Sequence, residues 1–125
     1  MSALIANEDL TLDIAETATT SATLTATGTL STNLKAGSKF VYVGDLNILI
    51  NNATDGVCTQ SLPNVKATIK PTSTKVKSNN NFVIRENDEG DTLNVAGLKS
   101  DGTTACTISI TPVVKTAGQT KVKAK

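Results

Sequence analysis

The chain has 125 residues, and its 12 Lys plus Arg against 11 Asp plus Glu give a net charge of +1. That length leaves no room for a separate catalytic lobe, and that balance sets up no field to draw in nucleic acid or acidic lipid. With no His, no Trp, one Tyr and two Phe, the composition excludes imidazole catalysis, His-ligated zinc and stacking platforms for single-stranded nucleic acid.

Threonine and the aliphatics fill the chain instead, side chains that suit a pleated, half-buried surface. The first residues, Met1-Ser2-Ala3-Leu4-Ile5, lack the basic start and long apolar centre of a signal peptide. Synthesis in the cytoplasm without a leader is therefore expected, with Cys58 and Cys106 as reduced thiols there.

Alternation with period two runs through the chain: Leu10, Leu12, Ile14; Val41, Val43; Leu46, Ile48, Ile50; Ile108, Ile110; Val113 after Pro112; and Val122, Ala124. These read as short strands. Turn clusters punctuate them at residues 35–38, 51–56, 78–81, 89–91 and 100–102, where Gly, Asn and Asp supply positive φ at low cost. An all-β fold of short strands and hairpins is the expectation. Residues 8–20 carry acids early and offer a helix as the alternative, but Thr17, Thr19 and Thr20 are poor helix formers. Charge is uneven as well: residues 1–34 hold Glu8, Asp9, Asp13 and Glu16 with no base, and residues 91–125 hold five Lys against Asp91 and Asp101. Solvated strand faces explain this, as would a molecule with an acidic and a basic side for docking.

The chain also repeats itself. Residues 31–43 (STNLKAGSKFVYV) lie without gaps over residues 73–85 (STKVKSNNNFVIR), and residues 119–125 (QTKVKAK) open the unit a third time. An acid precedes an alternating strand at Glu8-Asp9-Leu10, Gly44-Asp45-Leu46 and Gly90-Asp91-Thr92, and Val57-Cys58-Thr59 matches Ala105-Cys106-Thr107. Three units are expected at about residues 9–44, 45–90 and 91–125. A unit of this size cannot bury its own apolar face, so three must pack about a common axis. The expected body is a compact pseudo-threefold cone made by one chain; a β-sandwich is the alternative architecture.

The unit consists of a Lys-bearing strand, a Gly/Asn turn, an apolar strand and then Gly-Asp, as in residues 34–45 and 76–88. It resembles that of the PAAR-repeat and PAAR-like spike-tip proteins, and Ala117-Gly118-Gln119-Thr120-Lys121-Val122 is similar to them too. The resemblance covers most of the chain in three degenerate copies. It implies a non-enzymatic structural tip on the trimeric central spike of a contractile injection system or phage-like tail, one copy per trimer. Such a tip touches the target membrane transiently and takes neither nucleic acid nor a small-molecule substrate. The chain would be incorporated in the particle, and no fused effector is expected. A decoration or fibre module of a virus-like particle is the competing reading.

Many family members hold a metal near the point through several His and a Cys, a site that a chain without His cannot carry, so no cofactor is expected. Cys58 and Cys106 take like positions in two units and would meet near the axis. Buried small hydrophobes are the favoured state for them, a disulfide or two metal ligands the others. Leu34, Phe40, Val76, Phe82 and Val122 are the candidates for repeat core or spike docking. Lys35, Lys77 and Lys123 recur in register, where they would meet partner acids or discourage edge pairing. The carboxylates Glu86, Asp88, Glu89 and Asp91 fit no calcium loop and read as a polar turn beside Gly90.

Overall fold

The computed structural model describes residues 2–15 and 19–125, and these form strands joined by turns, with no helix. In chain order the strands are β1 (Ala3–Leu4), β2 (Thr11–Ile14), β3 (Ser21–Ala36), β4 (Lys39–Thr54), β5 (Cys58–Gln60) and β6 (Val65–Ile69). Next come β7 (Lys77–Ser78), β8 (Asn81–Phe82), β9 (Leu93–Lys99), β10 (Ala105–Ile110), β11 (Pro112–Thr116) and β12 (Lys123–Ala124). The all-β class is as expected. The helix considered for residues 8–20 does not form at residues 11–14, which pair with β11; Glu16 and Thr17 lie outside the described residues.

Two strands are much longer than the alternation suggested: β3 and β4 each run 16 residues and pair antiparallel. Their ladder is interrupted three times, and the second and third interruptions divide the molecule. Between the pairs Thr27↔Asn47 and Thr29↔Val43, β4 carries two extra residues, with Gly44 at φ 71°. Between Leu30↔Tyr42 and Lys35↔Phe40, β3 carries three. Such bulges bend a strand and redirect the residues beyond them. One half of the hairpin thus joins a broad sheet and the other half a small hub.

The broad sheet has the order β10-β9-β5-β4-β3, with β6 also on β4. Period-two burial is regular within it: Leu46, Ile48 and Ile50 of β4 are buried while Asn47 is exposed, and Ile108 and Ile110 of β10 repeat the pattern. These residues, with Ile14, Ile69, Val95 and Val114, form the larger apolar cluster, which the β2–β11 pair helps to enclose. A smaller cluster, Ile5, Ala36, Val41, Val43, Val83 and Ala124, belongs to the hub.

Cys58 and Cys106 are joined as a disulfide, not held as the two buried thiols favoured from the sequence. The cause lies in β9. Strands β5 and β10 pair on its two sides, Cys58 opposite Lys99 and Cys106 opposite Gly97. A Cβ on Gly97 would sit 2.8 Å from the Cys58 sulfur and 2.4 Å from the Thr59 carbonyl oxygen. Without a side chain there, the flanking strands curl together until the two Cα atoms are 6.0 Å apart, within the span of a disulfide. Strands β5, with Cys58, and β10, with Cys106, pair with β4 and β9 of the broad sheet and with none of β1, β7, β8 and β12, so the pair lies in the sheet and not in the hub hairpins.

Candidate functional site

The hub is built from hairpins with one shared design. In the first, Lys35 pairs with Phe40 and Ala36 with Lys39; in the second, Lys77 pairs with Phe82 and Ser78 with Asn81. Both close through two residues of positive φ, Gly37 and Ser38 at 66° and 69°, Asn79 and Asn80 at 54° and 64°. Two consecutive left-handed residues match the twist of a two-residue hairpin and are cheapest for Gly and Asn.

The third unit does not make its hairpin from residues 119–125 alone. Its first strand is β12, and its second strand is β1 from the other end of the chain: Leu4 pairs with Lys123 and Ala3 with Ala124. Leu4 therefore stands where Phe40 and Phe82 stand. Ile5 corresponds to Val41 and Val83, and Ala6 to Tyr42 and Ile84.

That correspondence is borne out by the main chain. Ala6 N–H donates to the Ile84 carbonyl (2.8 Å), Ile84 N–H to Tyr42 (3.0 Å), and Tyr42 N–H to Ala6 (3.0 Å). These bonds form a closed ring about a pseudo-threefold axis. Antiparallel bridges run the same way around it: Ile5↔Arg85, Val83↔Val43 and Val41↔Asn7. Each backbone group at the centre is satisfied by the next unit, as buried main chain requires.

Side chains obey the same rotation. The Ser31 hydroxyl accepts from the N–H of Asn33 and Leu34, the Ser73 hydroxyl from Val76, and the Gln119 amide oxygen from Lys121 and Val122. Each of these residues also meets the following unit: Ser31 bonds the Ser78 hydroxyl, Ser73 donates to the Lys125 carbonyl, and Gln119 packs against Gly37. The wholly buried Asn7 ties the first hairpin to the last segment, its Nδ2 donating to the Ala36 carbonyl at 2.8 Å.

The structure places the expected residues unequally. Leu34 and Val76 pack on the hub cluster, whereas Val122 is 37% exposed. Phe40 and Phe82 are half-buried and lie under lysines, with Lys35 Nζ 4.8 Å and Lys77 Nζ 4.6 Å from the ring centroids. Leu4, Ile5 and Ala6 escaped the sequence reading. Their run of apolar residues was the available signal, but no turn connects them to Lys123.

One landmark needs correction. Leu10 N–H bonds the Asn7 carbonyl and Asp88 N–H bonds the Arg85 carbonyl, so the turn after the third hairpin, at Glu8-Asp9, corresponds to Glu86-Asn87. Gly90-Asp91 lies four residues beyond that position, and Gly90 pairs with Ile69 in the sheet lobe. Asp88 itself is buried, accepting from the Thr72 hydroxyl and from Arg85 N–H (2.8 Å).

The electrostatics of the two ends differ. In the lobe, Asp55 is held below the usual carboxylate range by the N–H groups of Cys58 and Val57, and Asp101 is lowered to about 2 by the Thr104 hydroxyl and the N–H groups of Thr104 and Thr103. Where the ring meets the larger cluster, burial and the charge of Glu8 push the Tyr42 phenol up. An open cleft of about 490 Å³ beside the second hairpin is lined by Thr29, Gly44, Asp45, Lys77, Asn81 and Phe82. Among the described residues no three of His, Cys, Asp and Glu gather as a metal site. What the hub can do chemically is present repeated backbone, apolar and cationic groups about one axis.

No family model matches the sequence, and neither a curated protein nor a solved structure matches it.

Proposed function

We propose that this protein is a non-enzymatic tip that caps the trimeric central spike of a contractile injection system or phage-like tail. The carrying observation is the closed ring of Ala6, Ile84 and Tyr42, which gives a single chain a pseudo-threefold end. A trimeric spike terminates in three equivalent surfaces, and three separate caps could not narrow to one point. One chain with three related hairpins at its base can meet all three surfaces and still end in an unrepeated lobe. The hub is the base in this reading, and the sheet lobe with its disulfide is the leading end.

The partner is the spike trimer, one copy of this chain per trimer, with transient contact to a target membrane. The role needs neither cofactor nor substrate, because the work of penetration comes from contraction of the surrounding sheath. The chain is made in the cytoplasm and carried in the particle. Affinity purification of the chain from the cells that make it, followed by mass measurement of the intact complex, tests the reading. One chain per three spike chains is expected; a three-to-three complex, or none, would refute it.

A further inference from the structure

The lysines of the hub are distributed in a way that the fold does not require. Lys35, Lys77 and Lys123 occupy the same position in the three hairpins, each on the outer strand and each exposed. Lys75 and Lys121, also exposed, occupy a second shared position two residues earlier. Ion pairs join Lys39 with Asp9 and Lys115 with Asp13, and none of these five lysines has a carboxylate of the described residues within 4 Å. Asp45 shares a cleft with Lys77 without pairing to it, and Asp9 is engaged by Lys39. Asp88 is buried and accepts from the Thr72 hydroxyl and from Arg85 N–H, and Asp55 and Asp101 stand in the turns of the sheet lobe.

Two of the three equivalent lysines are also held in place. Lys35 and Lys77 lie over the faces of Phe40 and Phe82, and this cation–π contact restricts where each ammonium can go. A long side chain already confined loses less freedom when it binds. The ammonium groups on the rings keep donors free for an anionic partner.

Resting on the tip reading above, we propose that these lysines form a basic collar that docks onto carboxylates repeated three times at the end of the spike trimer. Their sign selects an acidic surface. Their repetition at Lys35, Lys77 and Lys123 selects a partner with threefold symmetry, which neither a lipid surface nor a nucleic acid possesses. Opposed charges of this kind govern orientation and rate of encounter more than final affinity, so the collar sets the rotation at which the cap seats.

The test uses the full chain and the trimeric spike protein recovered with it, with binding measured at about 50 mM and about 500 mM salt, where screening shortens from beyond 10 Å to a few Å. The triple variant Lys35→Glu, Lys77→Glu, Lys123→Glu is compared with Lys35→Arg, Lys77→Arg, Lys123→Arg, and thermal melting checks that both remain folded. Expected are a loss of affinity of roughly tenfold or more in the Glu variant, near-normal binding by the Arg variant, and weaker binding of the unmodified chain at the higher salt. A one-to-three complex that forms equally well with the Glu variant and ignores salt overturns the collar and leaves the tip reading intact. If the unmodified chain forms no complex at either salt, the tip reading falls and the collar with it. Binding to phosphatidylserine vesicles or duplex DNA in preference to the trimer overturns the collar's choice of partner.

Discussion

The hub and the sheet lobe solve the same problem, burial of a thin aliphatic core, by opposite means. The lobe uses a broad sheet, a cluster centred on Leu46, Ile48, Ile50, Ile69, Ile108 and Ile110, and a covalent cross-link. The hub has a smaller cluster and depends on repetition: three related strands each hand a main-chain hydrogen bond to the next. A large cluster can absorb irregular strands, whereas a ring needs every member in register. The difference teaches where each region should be vulnerable.

Removal of the cross-link should have the largest effect. The Cys58–Cys106 bond closes a loop with a sequence separation of 48, and by the chain-entropy estimate opening it costs about 4 kcal/mol. Chemical denaturation of a Cys58→Ser, Cys106→Ser variant should show a loss of this order. Amide exchange should then quicken first in β5, β9 and β10 while the hub stays protected. Equal loosening of hub and lobe would erase the proposed division between them.

A smaller effect should separate two hairpins that look alike. Gly37 has φ 66°, and a Cβ there would fall 2.6 Å from the Cβ of Gln119; Asn79, at the equivalent position, already carries a side chain. Gly37→Ala should therefore destabilise by about 1–3 kcal/mol and loosen the contact between the first and third units. Asn79→Ala should cost about 1 kcal/mol or less. Denaturant midpoints of the two variants decide this, and equal losses would mean that the third unit does not press on Gly37.

The distinction between these turns was partly legible beforehand. The match of residues 31–43 to 73–85 identified both hairpins, because Lys, Phe, Val and the Gly or Asn turn are requirements local to a hairpin. The partner strand of the third unit was not legible. Ala3-Leu4 has no turn linking it to Lys123-Ala124, and Leu4 lacks the ring that marks its counterparts. Likewise, the disulfide depends on the absence of a side chain at Gly97, 39 residues after Cys58 and 9 before Cys106, which only the pairing of β5, β9 and β10 makes relevant. Alternation told which residues face inward, as at Leu46, Ile48 and Ile50, but not that β4 would run past Gly44 into a second region.

The smallest expected effect concerns pH and again falls on one region. Asp55 and Asp101 have folded-state carboxyls below the ordinary value of 3.8, Asp101 at about 2, because neighbouring N–H groups and the Thr104 hydroxyl favour the ionised form. Their contribution is fully present above that ordinary value and is lost as pH falls through the folded value. Between about pH 4 and about pH 2, amide signals of Val57, Cys58, Thr103 and Thr104 should shift together with carboxyl protonation. Amide signals of these four residues that stay put through the window would contradict this assignment.

The ring itself remains the central claim, and the exchange rates of its three amides test it most directly. Ala6 lies near the start of the chain, where an unanchored segment would exchange almost freely, whereas Tyr42 and Ile84 sit inside hairpins. Native-state hydrogen exchange should give Ala6, Tyr42 and Ile84 protection factors within about tenfold of one another, since each amide opens only when the ring does. An Ala6 amide that exchanges like a frayed terminus while the other two stay protected would mean that the threefold closure does not exist.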